Sequence, residues 1–116
     1  MRWAFDVDGV ITANPDFFRW WINQLRKNGQ IIYILTARNP SRVAETGKEL
    51  KELGIKYDGV CYMPEDSQRD YKTQAEWKKS VVKDLKIDIW VDNEFKVYKR
   101  CCGVSFSDVT ATMIQI

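Results

Sequence analysis

The chain has 116 residues, 45% hydrophobic and 29% charged, with five each of Trp, Tyr and Phe. Those are the proportions of a soluble globular protein rather than a disordered one, and a net charge of +2 is too small to argue by itself for nucleic-acid binding. The absence of histidine excludes Ser-His-Asp and Cys-His sites, a His metal ligand and a His general base, leaving acid–base chemistry to carboxylates, lysines, tyrosines or cysteines.

At this length one domain is expected, spanning residues 1–116. The chain contains no apolar run near the ~20 residues of a membrane-spanning helix. The N-terminus leads at once into Asp6-Val7-Asp8-Gly9 without room for a signal peptide, so a cytoplasmic protein is expected. Three cysteines, two of them adjacent (Cys101 and Cys102), make no disulfide framework and read as buried thiols.

In chain order, Trp3–Val7 reads as a first strand. Pro15, after Asn14, opens a helix with Phe18, Trp21, Ile22 and Leu25 on its buried face, and Asn28-Gly29 closes it. Ile31–Leu35 is an unbroken apolar strand. Ser41 is placed to cap a second helix running to about Leu53, which Gly54 ends. Tyr57–Tyr62 is a third strand, the segment from Met63 to Tyr71 a polar loop, and Thr73–Leu85 a third helix. Ile87–Val91 is a fourth strand, Glu94–Cys101 a short helix before Gly103, and Val104–Phe106 a fifth strand. The tail from Asp108 to Ile116 adds an edge strand or a last turn. At helical spacing Trp20, Trp21 and Trp77 read as core, as do Trp3 and Trp90 inside strands. Alternating strands and helices predict an α/β fold, a central parallel sheet of about five strands with helices on both sides.

Ligands of such sheets bind at the carboxyl ends of the strands, near the switch point in strand order. Three of these strand ends carry reactive groups: Asp6 and Asp8, then Leu35-Thr36-Ala37-Arg38, then Val91-Asp92-Asn93-Glu94. A carboxylate ending an apolar strand is costly unless paired, hydrogen-bonded or bound to metal. Asp6 and Asp8 two residues apart, with Asp92 arriving from another strand, invite a hard divalent cation with oxygen ligands such as magnesium. Taken alone, Asp-Gly would be only a turn.

Asp6-Val7-Asp8-Gly9-Val10-Ile11, Leu35-Thr36-Ala37-Arg38 and Trp90-Val91-Asp92-Asn93 resemble the first, second and fourth motifs of the haloacid dehalogenase-like superfamily of phosphatases. The similarity covers roughly Arg2 to Phe106. Within the superfamily, the Thr-Ala-Arg second motif and the Asp-bearing turn after the fourth strand look most like the phosphatase half of bacteriophage polynucleotide kinase-phosphatases. The resemblance implies a three-layer Rossmann-like sandwich and a magnesium-dependent phosphatase. Asp6 would be the nucleophile that forms an aspartyl-phosphate. Asp8 would protonate the leaving oxygen and then activate water. Magnesium would be held by Asp6, the Asp8 carbonyl and Asp92, with Asn93 standing where a second Asp is usual. Thr36 and the Ala37 amide would hold a phosphoryl oxygen. Arg38 would either grip phosphate or make a structural ion pair. Lys78 is the candidate for the third-motif lysine, with Lys79 and Lys72 as competitors.

No insertion is long enough for a cap domain, so the site is expected to be open. It would accept a phosphorylated small molecule or the phosphate at a nucleic-acid end, with Arg38, Arg42, Arg69 and Lys72 near the entrance. A second copy of the chain could cover it. Two other readings are a phosphate-accepting receiver domain and a non-catalytic binding module on a degenerate phosphatase fold. The receiver would need its Asp on the third strand, where this chain has Val60-Cys61-Tyr62.

Overall fold

The computed structural model describes residues 1–116. Five parallel strands form its sheet: β1 (Arg2–Phe5), β2 (Ile31–Thr36), β3 (Gly59–Tyr62), β4 (Ile89–Asp92) and β5 (Thr112–Gln115), in spatial order β3-β2-β1-β4-β5. Four helices connect them: α1 (Pro15–Lys27), α2 (Val43–Glu52), α3 (Tyr71–Asp84) and α4 (Phe95–Cys102).

Period-2 alternation along the strands separates two cores, one on each face of the sheet. Trp3, Phe5, Ile32, Ile34 and Val91 point to one face, where they meet Phe18 and Ile22 of α1 and Leu50 of α2. Ala4, Leu35 and Trp90 point to the other, against Ala75 and Val82 of α3 and Phe95 and Tyr98 of α4. The result is the expected three-layer sandwich. With each large side chain contributing ~1.5–3 kcal/mol on burial, these two cores fix the strand register. The register in turn decides which side chains leave the carboxyl end of each strand next to one another.

Local signals set the helix ends. Asn14 caps α1 through Oδ1, which accepts from the Phe17 amide, with Pro15 at the first position. Asp70 caps α3 in the same way, its carboxylate accepting from the Thr73 amide and hydroxyl. The expected Ser41 cap is not made. Asn39 instead caps one tight turn, Pro40–Arg42, by accepting from the Ser41 amide, and α2 begins only at Val43.

Three further sequence expectations are corrected. Val104–Phe106 is not a strand. Gly103, at φ +64°, turns the chain off α4, and Val104 and Phe106 then pack on the α3–α4 core from a loop; their period-2 spacing mimicked a strand. The fifth strand comes from the tail instead, pairing Ile89 with Thr112 through Asp92 with Gln115. Trp20 is not core, being 58% exposed, because α1 buries only its Phe18–Ile22 side. Cys101 is exposed, and Cys61 and Cys102 are half-buried. No helix is long and apolar enough to cross a membrane.

Candidate active site

The order of strands reverses between β1 and β4, and that switch point is where the carboxylates meet. Phe5 pairs with Val91, so the next residues, Asp6 and Asp92, leave the sheet side by side. The Asp6 amide donates to the Val91 carbonyl at 3.1 Å. Both carboxylates are buried, Asp92 completely. Between them lies Lys78 of α3, itself 1% exposed, with Nζ 2.8 Å from Asp92 Oδ2 and 3.2 Å from Asp6 Oδ2. The remaining oxygens are also used: Asp6 Oδ1 accepts from the Val7 amide and Asp92 Oδ1 from the Glu94 amide.

Two buried carboxylates share one ammonium, so the cluster is one positive charge short of neutrality. Burial raises Asp6 to about 7; Lys78 works against this, while Asp92 adds to it. Burial alone would lower Lys78, but Asp6 and Asp92 reverse that and hold it firmly protonated. Asp6 is thus pushed toward its neutral form while Lys78 stays charged, as the charge count requires: one cation satisfies one of two acids.

Of the three candidate lysines, Lys78 is the one the fold brings to the carboxylates. Lys79 turns instead to the Ser105 carbonyl and to Asp108, and Lys72 lies outside the cavity over the site. That cavity, about 310 Å³, is lined by Asp6, Asp8, Ala37, Arg38, Arg42, Tyr71, Gln74, Lys78 and Glu94. A larger hollow of about 580 Å³ opens at the other edge of the sheet. Its one carboxylate, Asp58, is committed to the Ile32 amide and Arg26, so size does not identify the site. Nothing in the sequence marked Tyr71 and Gln74; they reach the rim because Asp70 starts α3 there. Arg69 is turned toward the carbonyls of Ala37, Met63 and Pro64.

Asp8 is presented differently from Asp6. It sits on the Val7–Ile11 turn in extended conformation, with its side chain 61% exposed. Arg38 reaches it bidentately, Nε to Oδ2 at 2.9 Å and Nη2 to Oδ1 at 2.7 Å. This pairing, first among its causes, holds the Asp8 carboxyl below the usual range. Of the two roles open to Arg38, the ion pair is the one made here, and its side chain is only 4% exposed. Thr36 ends β2 fully buried, its Oγ1 accepting from the Arg38 amide at 3.1 Å.

No three Asp, Glu or Cys side chains close around one point as a cation site. The fold brings together the hard oxygens of Asp6 and Asp92 through Lys78, and Asn93, next along the chain, has its Oδ1 buried without a hydrogen-bond partner. These fit magnesium, with water and main chain completing its shell. Gly9 makes the approach of Asn93 possible. Its φ is +77°, and a Cβ there would lie 2.1 Å from Asn93 Nδ2 and 2.9 Å from Cγ. Gly9→Ala is therefore expected to cost about 1–3 kcal/mol in urea denaturation, through strain and displacement of Asn93. Unchanged stability would show the turn to be more pliable than this.

No protein-family model and no curated protein matches the sequence. Solved structures do. A chain in the structure of the Pnkp1/Rnl/Hen1 RNA repair complex superposes with a TM-score of 0.74 at 14% identity, over 99% of this chain and 42% of that one. A chain in a second structure of the Pnkp1/Rnl/Hen1 complex gives 0.74 at 12% identity, over 99% and 45%. The chain thus spans less than half the length of these neighbours, and at such identities the likeness is one of fold.

Proposed function

We propose that the protein is a magnesium-dependent phosphomonoester hydrolase working through an aspartyl-phosphate on Asp6. The observation that carries this reading is the convergence of Asp6, Asp92 and Lys78 at the β1–β4 switch point, with Asp8 and Thr36 on the adjoining segments. Asp6 is the nucleophile; its position next to Lys78 orients the attacking oxygen and offsets the charge of an approaching phosphate. Asp6, Asp92 and Asn93 would hold magnesium, which supplies charge neutralisation to the transferring phosphoryl group. Asp8 gives a proton to the leaving oxygen and takes one from water; its pairing with Arg38 favours the second role at rest. The Ala37 amide and Arg42, both of which line the cavity, would hold phosphoryl oxygens.

The four segments at the sheet's carboxyl edge, before α1, α2, α3 and α4, are all short, so substrate enters from open solvent. An open site suits a phosphate at the end of a larger molecule. Together with structural neighbours from an RNA repair complex, this favours nucleic-acid ends over free metabolites. Asn93 in place of an acid, and Asp8 tied to Arg38, favour a second reading, a binding module without turnover.

The deciding experiment is hydrolysis of para-nitrophenyl phosphate with magnesium by the purified chain. Turnover abolished in Asp6→Asn is expected. No turnover in the parent leaves the binding module. Comparison of a 3′-phosphorylated oligonucleotide with nucleotides and sugar phosphates then tests the substrate class, and a preference for sugar phosphates defeats the nucleic-acid-end reading.

A further inference from the structure

Arg38 is held from both ends. While Nε and Nη2 grip Asp8, Nη1 points the other way into α2, donating to Thr46 Oγ1 at 3.1 Å and to Glu49 Oε2 at 2.7 Å. Thr46 is fully buried, and the Glu49 side chain is about one-third exposed. Each of the three guanidinium nitrogens therefore has a partner, and the planar fork cannot rotate without breaking one of them. A pair serving only to tie β2 to α2 would be complete with Thr46 and Glu49. It would not need to extend to an exposed carboxylate on a different loop, and Asp8 has no other side-chain partner that would hold its rotamer.

We infer that Glu49 and Thr46 are positioning residues for Asp8, acting through Arg38, in the second half-reaction of the hydrolase proposed above, on which this inference rests. In that step a water oxygen bonds to phosphorus and the Asp6–phosphate bond breaks. Asp6 returns as a carboxylate, and the proton of the attacking water passes to Asp8, releasing inorganic phosphate. Asp8 must be an ionised acceptor held at one place beside the phosphoryl group. A bidentate guanidinium supplies both conditions, and α2 fixes the guanidinium. An exposed carboxylate on a turn, left unbraced, samples several rotamers, and misplacement by about 1 Å is enough to cost on the order of 100-fold.

Para-nitrophenyl phosphate isolates this step, because its leaving group departs as a stable anion and formation of the aspartyl-phosphate needs no proton donor. In Glu49→Ala, kcat is expected to fall about 10–100-fold with kcat/KM within about 3-fold of the parent. The phosphoenzyme then accumulates, giving a burst of one nitrophenolate per site. Glu49→Gln, which keeps an acceptor for Nη1, is expected to recover most of kcat. Thr46→Val, nearly unchanged in volume, gives a smaller split of the same kind and serves if Glu49→Ala fails to fold. A fall in kcat and kcat/KM together, or no change in either, overturns the inference while leaving the hydrolase intact. Absence of turnover in the parent overturns both.

Discussion

Replacing Lys78 with Met is expected to cost about 3–5 kcal/mol at neutral pH, a large share of the stability of a domain this size. The methionine fills nearly the same volume, so the loss is electrostatic. Lys78 is 1% exposed and lies between the carboxylates of Asp6 and Asp92, themselves 6% and 0% exposed. Without the ammonium two buried carboxyl groups are left beside each other with no cation to offset them. The cost should shrink as pH falls to about 7 and below, because Asp6, already raised to about 7 by burial, takes up a proton there. Lys79→Met, one residue on, is the control: Lys79 is also buried, but its carboxylate partner Asp108 faces solvent, so no buried anion is left unpaired and a smaller loss is expected. Urea denaturation of both variants at pH 7.5 and pH 5 gives the comparison. A Lys78→Met protein within 1 kcal/mol of the parent at pH 7.5 would mean that the cluster is hydrated and its charges are not closely coupled.

The same cluster explains why the meeting of these three side chains was legible in the sequence while some elements around them were not. Asp6 and Asp92 could be read because each ends an apolar strand, where an unpaired carboxylate is too costly to be accidental, and register then brought them together. Lys78 could be read because the apolar spacing of Val81, Val82 and Leu85 aims that turn of α3 at the sheet. Arg38 could not be resolved: its sequence context suits a phosphate ligand and an ion pair equally, and the decision lies with Glu49, one helix away, whose spacing carries no signal. The fifth strand was misplaced for a similar reason. Val104-Ser105-Phe106 alternates like a strand, yet the left-handed turn at Gly103 sends it across the α3–α4 core, and Thr112–Gln115, with little apolar pattern of its own, takes the edge beside β4. Short edge strands are held by backbone pairing with a neighbour, which composition does not display. Trp20 shows the converse, an aromatic residue at helical spacing on the side of α1 that nothing covers.

Asp6→Asn is expected to make the magnesium-free protein more stable at neutral pH while removing its activity. Asp6 is raised to about 7, chiefly by burial, against ~4 in an unfolded chain. The folded state therefore binds this proton more tightly than the unfolded state, and the contribution of Asp6 is most favourable below about pH 4. It is lost as pH rises from about 4 to 7, amounting to at most roughly 4 kcal/mol above that window. An asparagine carries no charge to desolvate, its Oδ1 can still accept from the Val7 amide, and Lys78 is left with Asp92 as a neutral pair. The amide Nδ2 would face the Lys78 ammonium donor to donor where Asp6 Oδ2 now stands, which offsets part of the gain, so about 1–3 kcal/mol in favour of the variant is expected at pH 7.5. That difference should vanish near pH 4. Asp8, Asp70 and Asp108, all held below the usual carboxylate range, lose stability in acid in parent and variant alike, and so cancel in the comparison. Magnesium should restore the parent more than the variant, because the cation supplies the positive charge that two carboxylates lack with one lysine. Denaturation of both proteins in EDTA and in magnesium, from pH 4 to 8, tests each part. A variant less stable than the parent at pH 7.5 without metal would mean that the Asp6–Lys78 pair outweighs the burial of its charge, and that the site is built for stability before it is built for attack on phosphate.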